Sequence, residues 1–113
     1  MITIDLPFPV STNALTFNRK GGRTKTKKYQ AWIREAGWEL IRQNPGHMPG
    51  EVVLNLKVER KKDNRRRDLS NHIKGIEDLL VAYDVIEDDS KVVCLMAEWS
   101  ETVTGARVEI TEW

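Results

Sequence analysis

The chain predicts an α+β domain, with one small mixed or antiparallel sheet of about four strands and two helices packed on it, in the order β–α–β–α–β–β. Three observations carry this. The apolar pattern changes from alternation to helical spacing and back along the 113 residues. The length is near the commonest domain size, so residues 1–113 read as one domain. No repeat, low-complexity tract or linker divides them.

"MITIDL" alternates Ile2, Ile4 and Leu6 and predicts a strand. "PFPVSTNALTFNRKGGRTKT" holds prolines, Asn13 and Gly21–Gly22, and predicts a long loop; such loops in small domains are usually functional or mobile. From Lys27 to Gln43, Tyr29, Trp32, Ile33, Ala36, Gly37 and Leu40 recur at helical spacing, giving a helix with one buried face. Trp38 falls on the opposite side, where it either covers neighbouring side chains or makes a subunit contact. "NPGHMPG" breaks the chain and places His47 in a surface turn.

"EVVLNLKVER" sets Val52, Leu54, Leu56 and Val58 against Asn55, Lys57 and Glu59, a half-buried strand. A second helix begins near Leu69. Leu69, Ile73, Ile76 and Leu80, with His72 and Leu79, face one way, and Asn71, Lys74 and Asp78 the other. His72 sits at the edge of the buried face and reads as a packing residue, not a ligand. "KVVCLMAEW" and "GARVEITEW" are two more strands, joined around "SETVTG" as a hairpin.

Composition excludes several classes. Hydrophobic residues make up 40%, enough for a core, but no apolar run reaches the roughly 20 residues of a membrane span. Polar residues by Asp5 argue against a signal peptide, and the lone Cys94 has no intrachain partner. A buried thiol in a reducing compartment, hence a cytoplasmic protein, is the expectation. The net charge of +1 hides an asymmetry. Arg19, Lys20, Arg23, Lys25, Lys27 and Lys28 form one basic block, and Lys57, Arg60, Lys61, Lys62, Arg65, Arg66 and Arg67 a second. After Gly75 only Lys91 and Arg107 are basic, against ten acidic residues. A charge run is commonly just a solvated surface; two blocks on one face would bind phosphate.

"NRRRDLSNHIKGIEDLL" drives three arginines into Asp68, and "YDVIEDDSKVV" gathers Glu87, Asp88 and Asp89 in a turn before a strand. Gathered carboxylates repel unless a cation neutralises them. An aspartate at a helix start and an acidic turn can meet at one end of a sheet. Few protein oxygens with open positions suit Mg²⁺, which activates water and stabilises charge on a phosphodiester. An ordinary hydrophilic loop and polar helix face remain the alternative. No Cys/His spacing suggests zinc, and neither nucleotide- nor dinucleotide-binding glycine loops occur.

Over nearly its whole length the chain resembles the RusA-type Holliday junction resolvases. The resemblance covers "ITIDLPFPVSTN", the basic "GGRT" loop, "RRRDLSNHIKGIEDLL" and "VIEDDSKVV". Arg65, Arg66, Asp68, Leu69, Asn71, Lys74, Asp78, Leu79, Asp88 and Asp89 match the family pattern R-R-x-D-L-D-N-x-x-K, D-A-L and D-D in order and spacing. The resemblance implies a homodimer that uses Mg²⁺ or Mn²⁺ to make paired nicks in branched, four-way DNA; the missing glycine loops lead to the expectation of no nucleotide cofactor. It implies Asp68 and Asp89 as metal ligands, Lys74 as a catalytic lysine, and Asp88 and Ser70 as secondary ligands or water-positioning groups. Arg65, Arg66 and Arg67 would grip the DNA backbone, joined by Ser11, Asn13, Arg23 and Asn71.

Ser70 departs from the pattern, standing where the family has the second aspartate of D-L-D-N. A junction- or DNA-binding protein with weak or lost cleavage is therefore the alternative. A protein-interaction module anchored by Trp38 and Trp99 is a third reading.

Overall fold

A computed structural model describes residues Met1 to Trp113. Its main sheet contains β1 (Ile2–Leu6), β4 (Val52–Glu59), β5 (Val92–Ser100) and β6 (Ala106–Glu112), in the spatial order β1-β6-β4-β5. A separate two-stranded ribbon pairs β2 (Thr16–Arg19) with β3 (Gly22–Lys25). The helices are α1 (Lys27–Gln43) and α2 (Lys74–Ala82).

The β4 alternation works as its sequence implies. Val52, Leu54, Leu56 and Val58 are fully buried, and register sets Leu56 beside Val108 of β6 and Ala97 of β5. Ile4 joins the same row beside Val108. These residues share one core with Tyr29, Trp32, Ala36 and Leu40 of α1 and Ile76, Leu79 and Leu80 of α2. Thr26 caps α1 by accepting from the Tyr29 N–H at 3.1 Å, and Asn44 ends it in the left-handed conformation. Trp38 is exposed, as its position on the helix requires.

Four expectations are corrected. The β5 and β6 strands do not form a hairpin: β5 pairs parallel with β4 on one side, and β6 pairs antiparallel with β4 on the other. The connection β4–α2–β5 is a crossover unit, which carries the chain back to start a parallel strand. The stretch read as one long loop contains the β2–β3 ribbon, turned by Lys20 and Gly21, whose φ of 91° is open to glycine without strain. The second helix does not start at Leu69. Leu69–His72 is a 3₁₀ turn, and α-helical bonding begins only at Lys74. Cys94 is half-buried, not a core thiol, because β5 is the edge strand; its neighbours Val93, Leu95 and Met96 are exposed.

At the far end of the sheet, Gly105 precedes β6 with φ of 71° and donates its N–H to Glu59 at 2.9 Å. A Cβ there would overlap the Leu6 carbonyl oxygen. This close approach locks β1 to the loop leading into β6, beside the point where β4 releases the arginine-rich segment.

Candidate nucleic-acid and metal site

That segment is shaped by Asp63. Its carboxylate accepts from the Arg65 N–H at 3.1 Å and from both terminal nitrogens of Arg67, at 2.8 and 3.0 Å. The Arg67 bonds, with the Arg65 amide, pull the Asp63 carboxyl down from 3.8 to about 2. Arg67 also lies over the Phe8 ring, 5.7 Å from its centroid, and Lys61 approaches the same ring at 4.9 Å. Arg67 is thus held by an anion and an aromatic face. Arg65 and Arg66 are exposed, and neither guanidinium makes an ion pair.

Beneath them, Phe8 meets His72 edge-on at 5.4 Å, and His72 meets Trp99 at 5.9 Å. His72 is the one buried side chain of polar type. Its Nδ1 lies 2.9 Å from the Asp68 carbonyl, which fixes the Nδ1–H tautomer as the donor. The Asn71 N–H donates to that carbonyl as well, at 3.1 Å, and Thr12 Oγ1 donates to the Asn71 carbonyl at 2.9 Å. The Asp68 backbone is therefore pinned from two sides. Its carboxylate forms no capping hydrogen bond and is left free.

A cleft of about 330 Å³ opens here, lined by Ser11, Asn13, Arg65, Arg66, Arg67, Asp68 and Asn71, together with Lys28 and Lys61. Of the residues singled out in the sequence, these seven come together. Lys28 and Lys61 join from the two basic blocks, so both blocks do reach one cleft.

Lys74 and Arg23 lie elsewhere. Both line a cavity of about 630 Å³ between the β2–β3 ribbon and the helices, with Tyr29 and Asp78. Lys74 Nζ is 3.3 Å from an Asp78 oxygen, an i,i+4 pair along α2. Burial, helped by the Asp78 charge, raises the Tyr29 hydroxyl above its ordinary value. Arg23 donates to Thr16 Oγ1 across the ribbon at 2.9 Å.

The acidic turn is the third group. Glu87 accepts from the Gly50 N–H at 2.9 Å. Asp88 caps the 3₁₀ turn Asp89–Lys91, accepting from the Ser90 hydroxyl and, at 3.1 Å, from its N–H; these bonds hold its carboxyl low. Asp89 is exposed and reaches Glu77 of α2 by its charge. Burial first, then Asp89 and Asp78, raise the Glu77 carboxyl, while Lys74 opposes them. Ser70 is exposed in the turn after Asp68. No three His, Cys, Asp or Glu side chains of the chain form one metal-holding group.

Two residues of this arrangement escaped the sequence reading. Glu77 lies one residue before the matched Asp78 and three after Lys74, a spacing that puts it beside Lys74 on a helix. Asp63 stands four residues before Arg67, the one acid between Arg60 and Arg67.

The chain matches the family model of endodeoxyribonuclease RusA over residues 7–111. It belongs to the RusA endodeoxyribonuclease family. The match spans the basic cleft, the ribbon and the acidic turn, leaving out only Met1, the strand β1 and the last two residues of the chain. No curated protein matches it. No helix of the chain is long and apolar enough to cross a membrane.

Proposed function

We propose that this RusA family member is a Mg²⁺-dependent endodeoxyribonuclease that resolves Holliday junctions by paired symmetric nicks, working as a homodimer. The observation that carries the reading is the cleft in which the free carboxylate of Asp68 is surrounded by Arg65, Arg66, Lys28 and Lys61. A carboxylate set among phosphate-binding cations suits work on a polyanion through a divalent ion. Two symmetric nicks in a junction of two-fold character call for two symmetric sites, hence a dimer.

The donor chemistry fits a hard cation. The candidates are all oxygen, and Asp68 makes no competing capping bond. Asp68 and Asp89 would hold Mg²⁺, with Asp88 and Ser70 positioning water around it; Mn²⁺ can replace it. When bound, the ion supplies an activated water and charge stabilisation on the phosphodiester. The protein supplies orientation: Arg65 and Arg66 take the backbone next to the scissile bond, and Ser11, Asn13 and Asn71 add hydrogen bonds to phosphate oxygens. Lys74, once released from Asp78, stabilises the developing charge.

The test is a labelled four-way junction incubated with and without Mg²⁺, using the parent, Asp68→Asn and Asp89→Asn. The parent should nick only with metal. Both variants should bind and not cut, because affinity comes from the cations. Cutting by both variants at the parent rate would refute the ligand assignment. Ser70 favours a second reading, a junction-binding protein with weak or lost cleavage; retention of the junction with no metal-dependent nick supports it.

A further inference from the structure

The two faces of the β2–β3 ribbon have different surroundings. Directly opposed residues of an antiparallel pair lie on one face. Thr16 opposes Lys25 and Asn18 opposes Arg23, and this face closes the cavity above Lys74. Phe17 opposes Thr24 and Arg19 opposes Gly22, forming the face turned away. Phe17 is 46% exposed and takes part in no ring–ring or cation–ring contact.

The surrounding charge says what would cover this ring. From Leu6 to Arg34 the chain has no acidic residue, while Arg19, Lys20, Arg23 and Lys25 stand on or beside the ribbon. An apolar ring among cations alone fits a partner that is a polyanion and also offers a flat apolar surface. A nucleobase on its phosphate backbone is such a partner. Within a duplex each base is stacked on both sides, so a side chain must first separate two of them. At a strand crossing a base has lost part of its stack, and insertion there costs least.

We propose that Phe17 stacks against a nucleobase at the branch point of the junction, with Arg19 and Lys20 on the flanking phosphates. The ribbon then selects branched over linear DNA, while the basic cleft supplies affinity common to both. This inference rests on the proposed junction substrate.

The test uses the full-length chain without divalent metal, a four-way junction carrying 2-aminopurine at the branch point, and a duplex of the same local sequence. The parent should change the 2-aminopurine emission on the junction and leave the duplex signal unaltered. Phe17→Ala should abolish the change and weaken junction binding by about tenfold, within the range for loss of one base–aromatic stack. Duplex affinity should move by less than about twofold, and Phe17→Trp should restore both junction readouts. Phe17→Gln, which keeps length and removes the ring, carries the test if the alanine variant fails to fold by circular dichroism. A ring-free variant that keeps the parent's emission change and junction affinity overturns the inference alone. So does an equal loss on junction and duplex. Failure of the parent to bind the junction at all overturns the substrate reading with it.

Discussion

The three arginines before Asp68 should not contribute equally to DNA binding. Each phosphate neutralised by a cation adds about 0.9 to the slope of log affinity against log salt. Arg65 and Arg66 are exposed and unpaired, so Arg65→Ala with Arg66→Ala should flatten the slope by about 1.8. Arg67 is different. Its side chain is only 17% exposed, and Asp63 already supplies its counter-charge through two bonds of 2.8 and 3.0 Å. It has no counterion to release.

Removing the pair as a unit isolates this. Asp63→Asn with Arg67→Ala leaves the net charge of the cleft unchanged, and the slope should shift by less than about 0.3. Asp63→Asn alone frees Arg67 and should steepen the slope by up to about 0.9. Fluorescence anisotropy of a labelled junction across a salt series, without divalent metal, measures all three variants. A flattening of about 0.9 or more in the paired variant would show that Arg67 leaves Asp63 for a phosphate on binding, and the unequal-arginine reasoning would fail.

Three further outcomes are expected. In Asp63 the folded carboxyl titrates at about 2 against an ordinary 3.8, so its contribution is complete above about pH 4 and is lost as pH falls toward 2; an NMR titration should show that midpoint return toward 3.8 in Arg67→Ala. Gly105→Ala should cost about 2 kcal/mol or more by urea unfolding, since a Cβ meets the Leu6 backbone at positive φ, whereas Gly37→Ala should cost under about 1 kcal/mol because it meets only the movable, exposed end of Tyr83. Ser70→Asp should lower the half-saturating Mg²⁺ or Mn²⁺ concentration for cleavage by adding a carboxylate near Asp68; no change, or loss of cleavage, would show that the neighbouring acids repel it.

What could be read from sequence was local. The α1 face and the β4 alternation each follow from one segment's own periodicity, and the residues assigned to the interior are buried except Ile33, which is half-buried at the edge of the α1 face. Strand order depends on which distant segments meet. Proximity in sequence favoured a β5–β6 hairpin, yet the order β4–α2–β5 already described a crossover, whose product is a parallel pair. The ribbon was missed because its strands are short and mostly polar, with no buried face to impose alternation. Its signal was the Lys20–Gly21–Gly22 turn, glycine where positive φ is needed.

Asp68 shows how a residue can stand out in the sequence while its surroundings are misread. A helix start would have set its carboxylate at the positive end of an α-helix dipole. The observed 3₁₀ turn is four residues long, and α2 begins only at Lys74, so that source of stabilisation is largely absent. What holds Asp68 in place is the hydrogen bonding of its carbonyl to His72 and Asn71. His72 in turn is wedged edge-on between Phe8 and Trp99, and Phe8 carries Arg67 and Lys61 on its ring. The aromatic stack therefore joins the carboxylate to the cations that flank it. A histidine read from sequence as a packing residue is one, and through its Nδ1 that packing sets where the free carboxylate of Asp68 stands.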